Sequence, residues 1–313
     1  MRHILAHLAR AVDRLGATPA PEVRDARPVR TWTIGDITVT SVIEVDGPAP
    51  GPFLFDGATP DVVRERHGWA RGSFIDDEGM LLTRVQALVV QAGGRTIVVD
   101  TCIGNDKQRD VNAWNELDLP FLERFREAGF DPLTVDTVVC THLHVDHVGW
   151  NTTLVDGAWR PTFPESRYVF AGPEYRHWSA EPHRSRPEHD DSIQPVVDAG
   201  LVDLVDMDAE LAPGVTLVPT PGHTPGHCSV QLASNGAAAL ITGDFMHHAV
   251  QVAAPEWCSH FDTDASRAEQ TRREFLDAHA DTDLLVIGTH FGGPGAGRIV
   301  SSDGGYVFVP DTA

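Results

Sequence analysis

Lysine is almost absent from this chain of 313 residues: Lys107 stands alone, and arginine supplies the rest of the 24 basic side chains against 45 acidic ones. The net charge is -21, with no Lys/Arg cluster to reverse it locally. Such a field repels polyphosphate and disfavours nucleic acid as a substrate. Long hydrophobic runs are missing too. With no apolar stretch of roughly 18 residues, a membrane-spanning helix is excluded. The first residues lack the continuous apolar centre of a secretory signal, which makes the cytoplasm the expected compartment. Cysteine is scarce: Cys102, Cys140, Cys228 and Cys258 are widely spaced, without a CxxC pair, and are expected to be reduced and mostly buried. No G-x-S-x-G elbow offers a serine nucleophile. Solenoid repeats and low-complexity tracts are likewise absent.

What is present suits a large core, since 42% of residues are hydrophobic. We expect residues 1–30 to be an N-terminal extension, a short amphipathic helix (Ile4, Leu5, Leu8, Val12, Leu15) followed by a Pro-rich linker, and residues 31–313 to form one domain. Segments 31–44 and 84–99 read as hairpins, β-branched runs broken at Gly-Asp and Gly-Gly. The stretch between them, with Phe53, Phe55, Trp69, Phe74 and Met80, reads as irregular packing or as a substrate wall. Residues 117–129 read as a helix closed by Gly129, and 265–279 as an outer helix. The segment Pro173–Asp206, rich in Pro, His, Arg and Asp, shows little core pattern and reads as a lid or a dimer contact.

Four short apolar runs share one layout. Thr137–Cys140 leads into Thr141-His142, Val215–Val218 into Pro221-Gly222-His223, Ala238–Thr242 into Gly243-Asp244, and Leu284–Ile287 into Thr289-His290. Each predicted strand therefore ends in a histidine or aspartate on a loop, and neighbouring strand ends converge in space. Within THLHVDHVGW, His142 and His144 fall on one side of an extended stretch, because side chains alternate with period two. Asp146 and His147 follow at the turn. Imidazole nitrogen and carboxylate oxygen suit zinc, iron, manganese or cobalt. Hairpins first, then strands alternating with helices, predict an α/β fold of packed sheets with helices outside.

With HxHxDH followed in order by His223, Asp244 and His290, the chain resembles the metallo-β-lactamase superfamily over roughly residues 30–300. The resemblance implies an αββα sandwich of two mixed β-sheets with helices on the outer faces. It implies one metal on His142, His144 and His223, a second on Asp146, His147 and His290, and Asp244 bridging both. Two divalent ions, zinc first and iron, manganese or cobalt as alternatives, would lower the pKa of a bridging water from 15.7 to about 7 and so provide hydroxide to attack a lactone or ester carbonyl. Asp146 would orient that hydroxide and pass on its proton. Asp at 244, where zinc β-lactamases usually carry Cys, points away from β-lactams. His247 stands three residues beyond, where several acyl-homoserine lactonases have tyrosine; this resembles the branch holding YtnP-type lactonases and methyl parathion hydrolase. There it would be a hydrogen-bond donor or general acid. His227 is expected to brace the ligand loop, His248 and Asp100 to be supporting residues, and His260 and His279 to lie at the surface. Trp150, Trp178 and Phe245 read either as pocket lining or as core.

The function implied is that of an N-acyl-homoserine lactonase-like, quorum-quenching hydrolase acting on a small lactone or ester, with a homodimer implied by the branch. An arylesterase or organophosphate hydrolase of the methyl parathion type would use the same parts. Glyoxalase II chemistry is less attractive without basic residues for glutathione carboxylates. A mononuclear iron persulfide dioxygenase and a non-catalytic binding module are the alternatives of other classes.

Overall fold

The computed structural model describes residues 29–180 and 182–312; the predicted N-terminal helix lies outside them. The first sheet has the order β1 (Arg30–Ile34), β2 (Ile37–Ala49), β3 (Leu81–Ala92), β4 (Arg95–Val99), β5 (Thr137–Val139), β8 (Arg167–Ala171), β9 (Val202–Val205), with β6 (Thr152–Val155) and β7 (Ala158–Pro161) forming a separate hairpin. It is antiparallel as far as β4 and parallel from there to β9. The second sheet runs β10 (Glu210–Ala212), β11 (Val215–Pro219), β12 (Cys228–Ser234), β13 (Ala237–Ile241), β14 (Leu285–Ile287), β15 (Ala296–Ser302), β16 (Gly305–Pro310), with β13 and β14 its parallel pair.

Alternation along these strands builds three layers of core. Ile97 and Val99 of β4 point inward with Ile241 of β13 and Leu285 and Ile287 of β14, filling the space between the sheets. Val98, between them in sequence, points the other way, onto Phe121 and Phe125 of α2 (Phe121–Glu127), Trp178 of α4 (Gly172–Trp178) and Val196 of α5 (Gln194–Asp198). On the far side Leu240 and Val286 meet Val63 of α1 (Pro60–Arg66) and Leu276 of α6 (Ala265–His279). The period of two thus sends alternate residues to opposite faces, and each fully buried Val, Leu or Ile adds about 1.5–3 kcal/mol. The architecture is the αββα sandwich. Among the shorter helices, α3 (Val145–Val148) is a single turn.

Two expectations need correction. The helix predicted from residue 117 begins at Phe121, because Pro120 occupies its N-cap and Leu117 and Leu119 pack as loop residues. The Pro173–Asp206 segment is largely framework: β9 pairs parallel with β8, and Ile193 and Val196 are core. Its apolar residues are too few per element to show a period. In the aromatic stretch, Phe55 and Phe74 are core, and only Phe55 faces a candidate site residue, His247, at 6.4 Å between rings.

Candidate metal centre

Parallel pairing aligns the strand ends. Val99 lies beside Val139, and Ile241 beside Ile287, so the loops leaving β4 and β5, and those leaving β13 and β14, emerge side by side. Asp100, the residue after β4, has φ 58° and accepts from the Thr141 backbone N–H at 2.8 Å, fixing the start of the histidine loop. At the other sheet Gly243 (φ 57°) lets the chain turn tightly against His227, and His227 Nε2 accepts from the Asp244 N–H at 2.7 Å.

The seven predicted residues come together. His142 Nε2, His144 Nδ1 and His223 Nε2 form a triangle with edges of 3.0, 2.9 and 3.2 Å. His147 Nε2 and His290 Nε2 lie 3.2 Å apart, with Asp146 oxygens 3.7 and 3.5 Å away. Between the two groups sits Asp244. Its Oδ2 is 3.6 Å from His223 and 3.9 Å from His142, yet also 3.4 Å from His147, while Oδ1 is 3.1 Å from His290.

Outer partners decide which nitrogen of each ring is bare. His147 Nδ1 donates to Asp100 at 2.9 Å, His223 Nδ1 to Asp262 at 2.9 Å, and His290 Nδ1 to the Arg84 carbonyl at 2.8 Å. Thr141 Oγ1 bonds Asp100 and accepts from His142 Nδ1 at 3.1 Å. The Nε2 atoms of all four therefore face inward, where a cation would meet them; without one, the Asp244 carboxylate overcomes burial and raises His147 well above the usual histidine range and His290 to about 8. Burial, followed by neighbouring imidazoles, pushes His142 and His144 well below the usual histidine range. Burial works against ionised Asp244, but His290 and His147 outweigh it and hold the carboxyl well below its usual value.

This donor set fits cations. Tetrahedral ligands about 2.0–2.1 Å from an ion stand about 3.3 Å apart, close to the separations here. Ring nitrogens gathered at these distances around a carboxylate make an arrangement that a cation would bind. His142, His144, His223 and Asp244 can hold one ion, and Asp146, His147, His290 and Asp244 another.

His247 is buried beside them, with Nε2 3.3 Å from Asp244 Oδ2 and neither ring nitrogen hydrogen-bonded among the described residues. His227 also donates to Thr220 Oγ1 at 2.8 Å, bracing the loop as expected. His248 bonds the carbonyls of Phe74 and Leu82 and is structural, and His260 and His279 are partly exposed. Trp150 stacks on Phe121 and Phe245 packs on Phe275, both core positions; Trp178 sits 5.1 Å from the His144 ring.

The family model of the metallo-β-lactamase superfamily matches residues 82–290. The chain belongs to that superfamily. Among curated members, the N-acyl homoserine lactonase AiiA of Bacillus thuringiensis subsp. kurstaki is 25% identical over 191 residues, 61% of this chain and 57% of that protein. Of solved metallo-β-lactamase-type structures, the hydrolase AbOPH superposes with a TM-score of 0.76 at 23% identity, covering 93% of this chain and 99% of the other. AidC, a dizinc quorum-quenching lactonase in complex with its product, gives 0.73 at 19%, covering 91% and 98%. These structural likenesses establish the shared fold.

Several residues that organise the site escaped the sequence reading. Glu174 accepts from the N–H groups of Leu143 and Gly226 and from the Trp178 indole (3.0, 3.0 and 2.6 Å), tying the two histidine loops together. A Cβ on Gly226 would come within 2.2 Å of the Glu174 backbone nitrogen, so only glycine permits that approach. Glu44 accepts from Ile103 and Gly104 N–H and from Trp150; burial pushes its carboxyl up to about 7 despite those bonds. Asp262 was missed as well. None of these lies in a motif, and each reaches the site through a partner tens of residues away, Leu143 and Gly226 for Glu174, Ile103 for Glu44 and His223 for Asp262.

Proposed function

We propose that this chain is a dinuclear metal-dependent hydrolase that opens lactones or cleaves esters, with N-acyl-homoserine lactones the foremost candidates. The observation carrying the proposal is the placement of one carboxylate, Asp244, against both nitrogen groups. Two divalent cations, when bound, would supply a water-derived nucleophile at neutral pH and polarisation of the substrate carbonyl.

The protein's own part follows from its side chains. His142, His144 and His223 would hold one cation, Asp146, His147 and His290 the other, and Asp244 both. Asp146, whose side chain keeps 12% of its surface exposed, would accept the proton of the attacking water. Burial pushes His247 down to about 3, so it is a neutral imidazole at pH 7. It can give one hydrogen bond to the substrate carbonyl or the departing oxygen. The named function of the lactonase relatives supports the lactone reading. Histidine at 247, as in the methyl parathion hydrolase branch, keeps aryl esters and organophosphates as a second reading. Two donor groups favour this chemistry over a single-iron dioxygenase.

The test is a panel of acyl-homoserine lactones, γ-lactones, aryl esters and phosphotriesters on zinc-reconstituted protein. We expect lactone opening, with two metal equivalents bound and turnover lost in Asp244→Ala. Fast triester or β-lactam cleavage without lactone cleavage would overturn the substrate assignment; wild-type turnover in Asp244→Ala would overturn the mechanism.

A further inference from the structure

We propose that Asp262, set in place by Arg272, is the positioning residue for His223 and supports the three-histidine group without supporting its neighbour. The inference rests on the two-cation reading of the site. Asp262 Oδ1 accepts from His223 Nδ1 at 2.9 Å, its Oδ2 accepts from the Ser259 N–H at 2.9 Å, and the same oxygen lies 3.8 Å from Arg272 Nη1. The side chains of His223, Asp262 and Arg272 have no exposed surface. The chain just beyond Asp262 also grips the histidine loop by its backbone: Thr263 N–H donates to the His223 carbonyl at 2.8 Å and Asp264 N–H to the Gly222 carbonyl at 2.9 Å.

Arg272 rises from α6 and donates to the carbonyls of Pro255 and Phe245, each at 3.1 Å. Phe245 follows Asp244, so one guanidinium ties the bridging-carboxylate loop to the aspartate behind His223. Burying an arginine and a carboxylate this completely carries a desolvation penalty that their attraction offsets only with good geometry. What the pair secures is the orientation and basicity of His223, as a carboxylate behind a ligating imidazole does. His147 and His290 lean instead on Asp100 and the Arg84 carbonyl. Asp100 serves both groups, through His147 and, by way of Thr141, through His142, whereas Asp262 touches only His223 among the donors, so losing Asp262 strikes the three-histidine group.

Metal-free full-length protein is titrated with Zn2+ against a competing chelator, as wild type, Asp262→Ala and Asp262→Asn, with Co2+ absorption following the same equivalents. In Asp262→Ala one of two equivalents is expected to weaken by about 10- to 100-fold, and the other to keep its affinity. Asp262→Asn should recover part of the loss, since its amide oxygen still accepts from Nδ1. Equal weakening of both equivalents, or of neither, would overturn the proposal. Melting of the metal-free variants checks folding; if Asp262→Ala melts well below wild type, Asp262→Asn decides, by a weakening confined to one equivalent or not. Should wild type bind a single equivalent, the two-cation reading fails by itself. Whether that equivalent weakens in Asp262→Ala still decides the present proposal.

Discussion

Glu174 offers the sharpest test of how the site is held. Its carboxylate is buried in α4 and receives three donors, the backbone N–H groups of Leu143 and Gly226 and the Trp178 indole. Leu143 sits between His142 and His144, and Gly226 three residues after His223, so this one side chain spans both halves of the three-histidine group. Each buried donor left without an acceptor costs about 1–3 kcal/mol. Three orphaned donors in Glu174→Ala would therefore cost about 3–9 kcal/mol, of which water entering the vacated space returns a part. We expect a net loss of about 3–5 kcal/mol. At about 2–4 °C per kcal/mol for a large domain, that is a fall in Tm of about 6–20 °C. Glu174→Gln should lie between, because its amide keeps one oxygen but turns an NH2 towards a donor. The assay is thermal unfolding of metal-free and zinc-loaded protein with zinc affinity measured in parallel. Metal-free Tm and zinc affinity both unchanged in Glu174→Ala would refute the idea that this carboxylate holds the loops.

His247→Ala should lower kcat by about 100-fold or more, the usual worth of one hydrogen-bond donor to a developing oxyanion, while leaving metal content intact; an unchanged kcat would return His247 to a packing role. Lys107 is fully buried, bonded to Thr152 Oγ1 and the Asp191 carbonyl and lying 3.7 Å over Trp159, and burial pushes its pKa from 10.5 down to about 7. Between these values the unfolded chain binds the extra proton, so stability should rise with pH from about 7 towards 10.5. Denaturant unfolding should show that rise in wild type and not in Lys107→Met; the same slope in both would refute it.

The sandwich and the seven-residue cluster were legible because both rest on local patterns. Alternation in β4, β13 and β14 reports burial on two faces, and each donor follows directly on a strand end. The remainder depends on contacts distant in sequence. Glu174 lies in a segment that reads as a lid or a dimer contact, since a seven-residue helix and a four-residue strand carry too few apolar residues for a period. Asp262 reaches His223 across 39 positions, and nothing around it marks an acid with a special partner. Arg272 occupies the buried stripe of α6 with Ala268, Thr271 and Leu276, a place where charge ordinarily marks a solvent-facing position.

Each sheet is drawn from one continuous half of the chain, the first from residues 30–205 and the second from 210–310. The donors divide at the same place, His142, His144, Asp146 and His147 before it and His223, Asp244 and His290 after it. Neither half can assemble a complete coordination set by itself. On the proposed two-cation reading, tight cation uptake would report that the halves have docked in register, and bound ions would act as a clasp across the seam. A substitution deep between the sheets, far from any donor, would first announce itself as leaking metal.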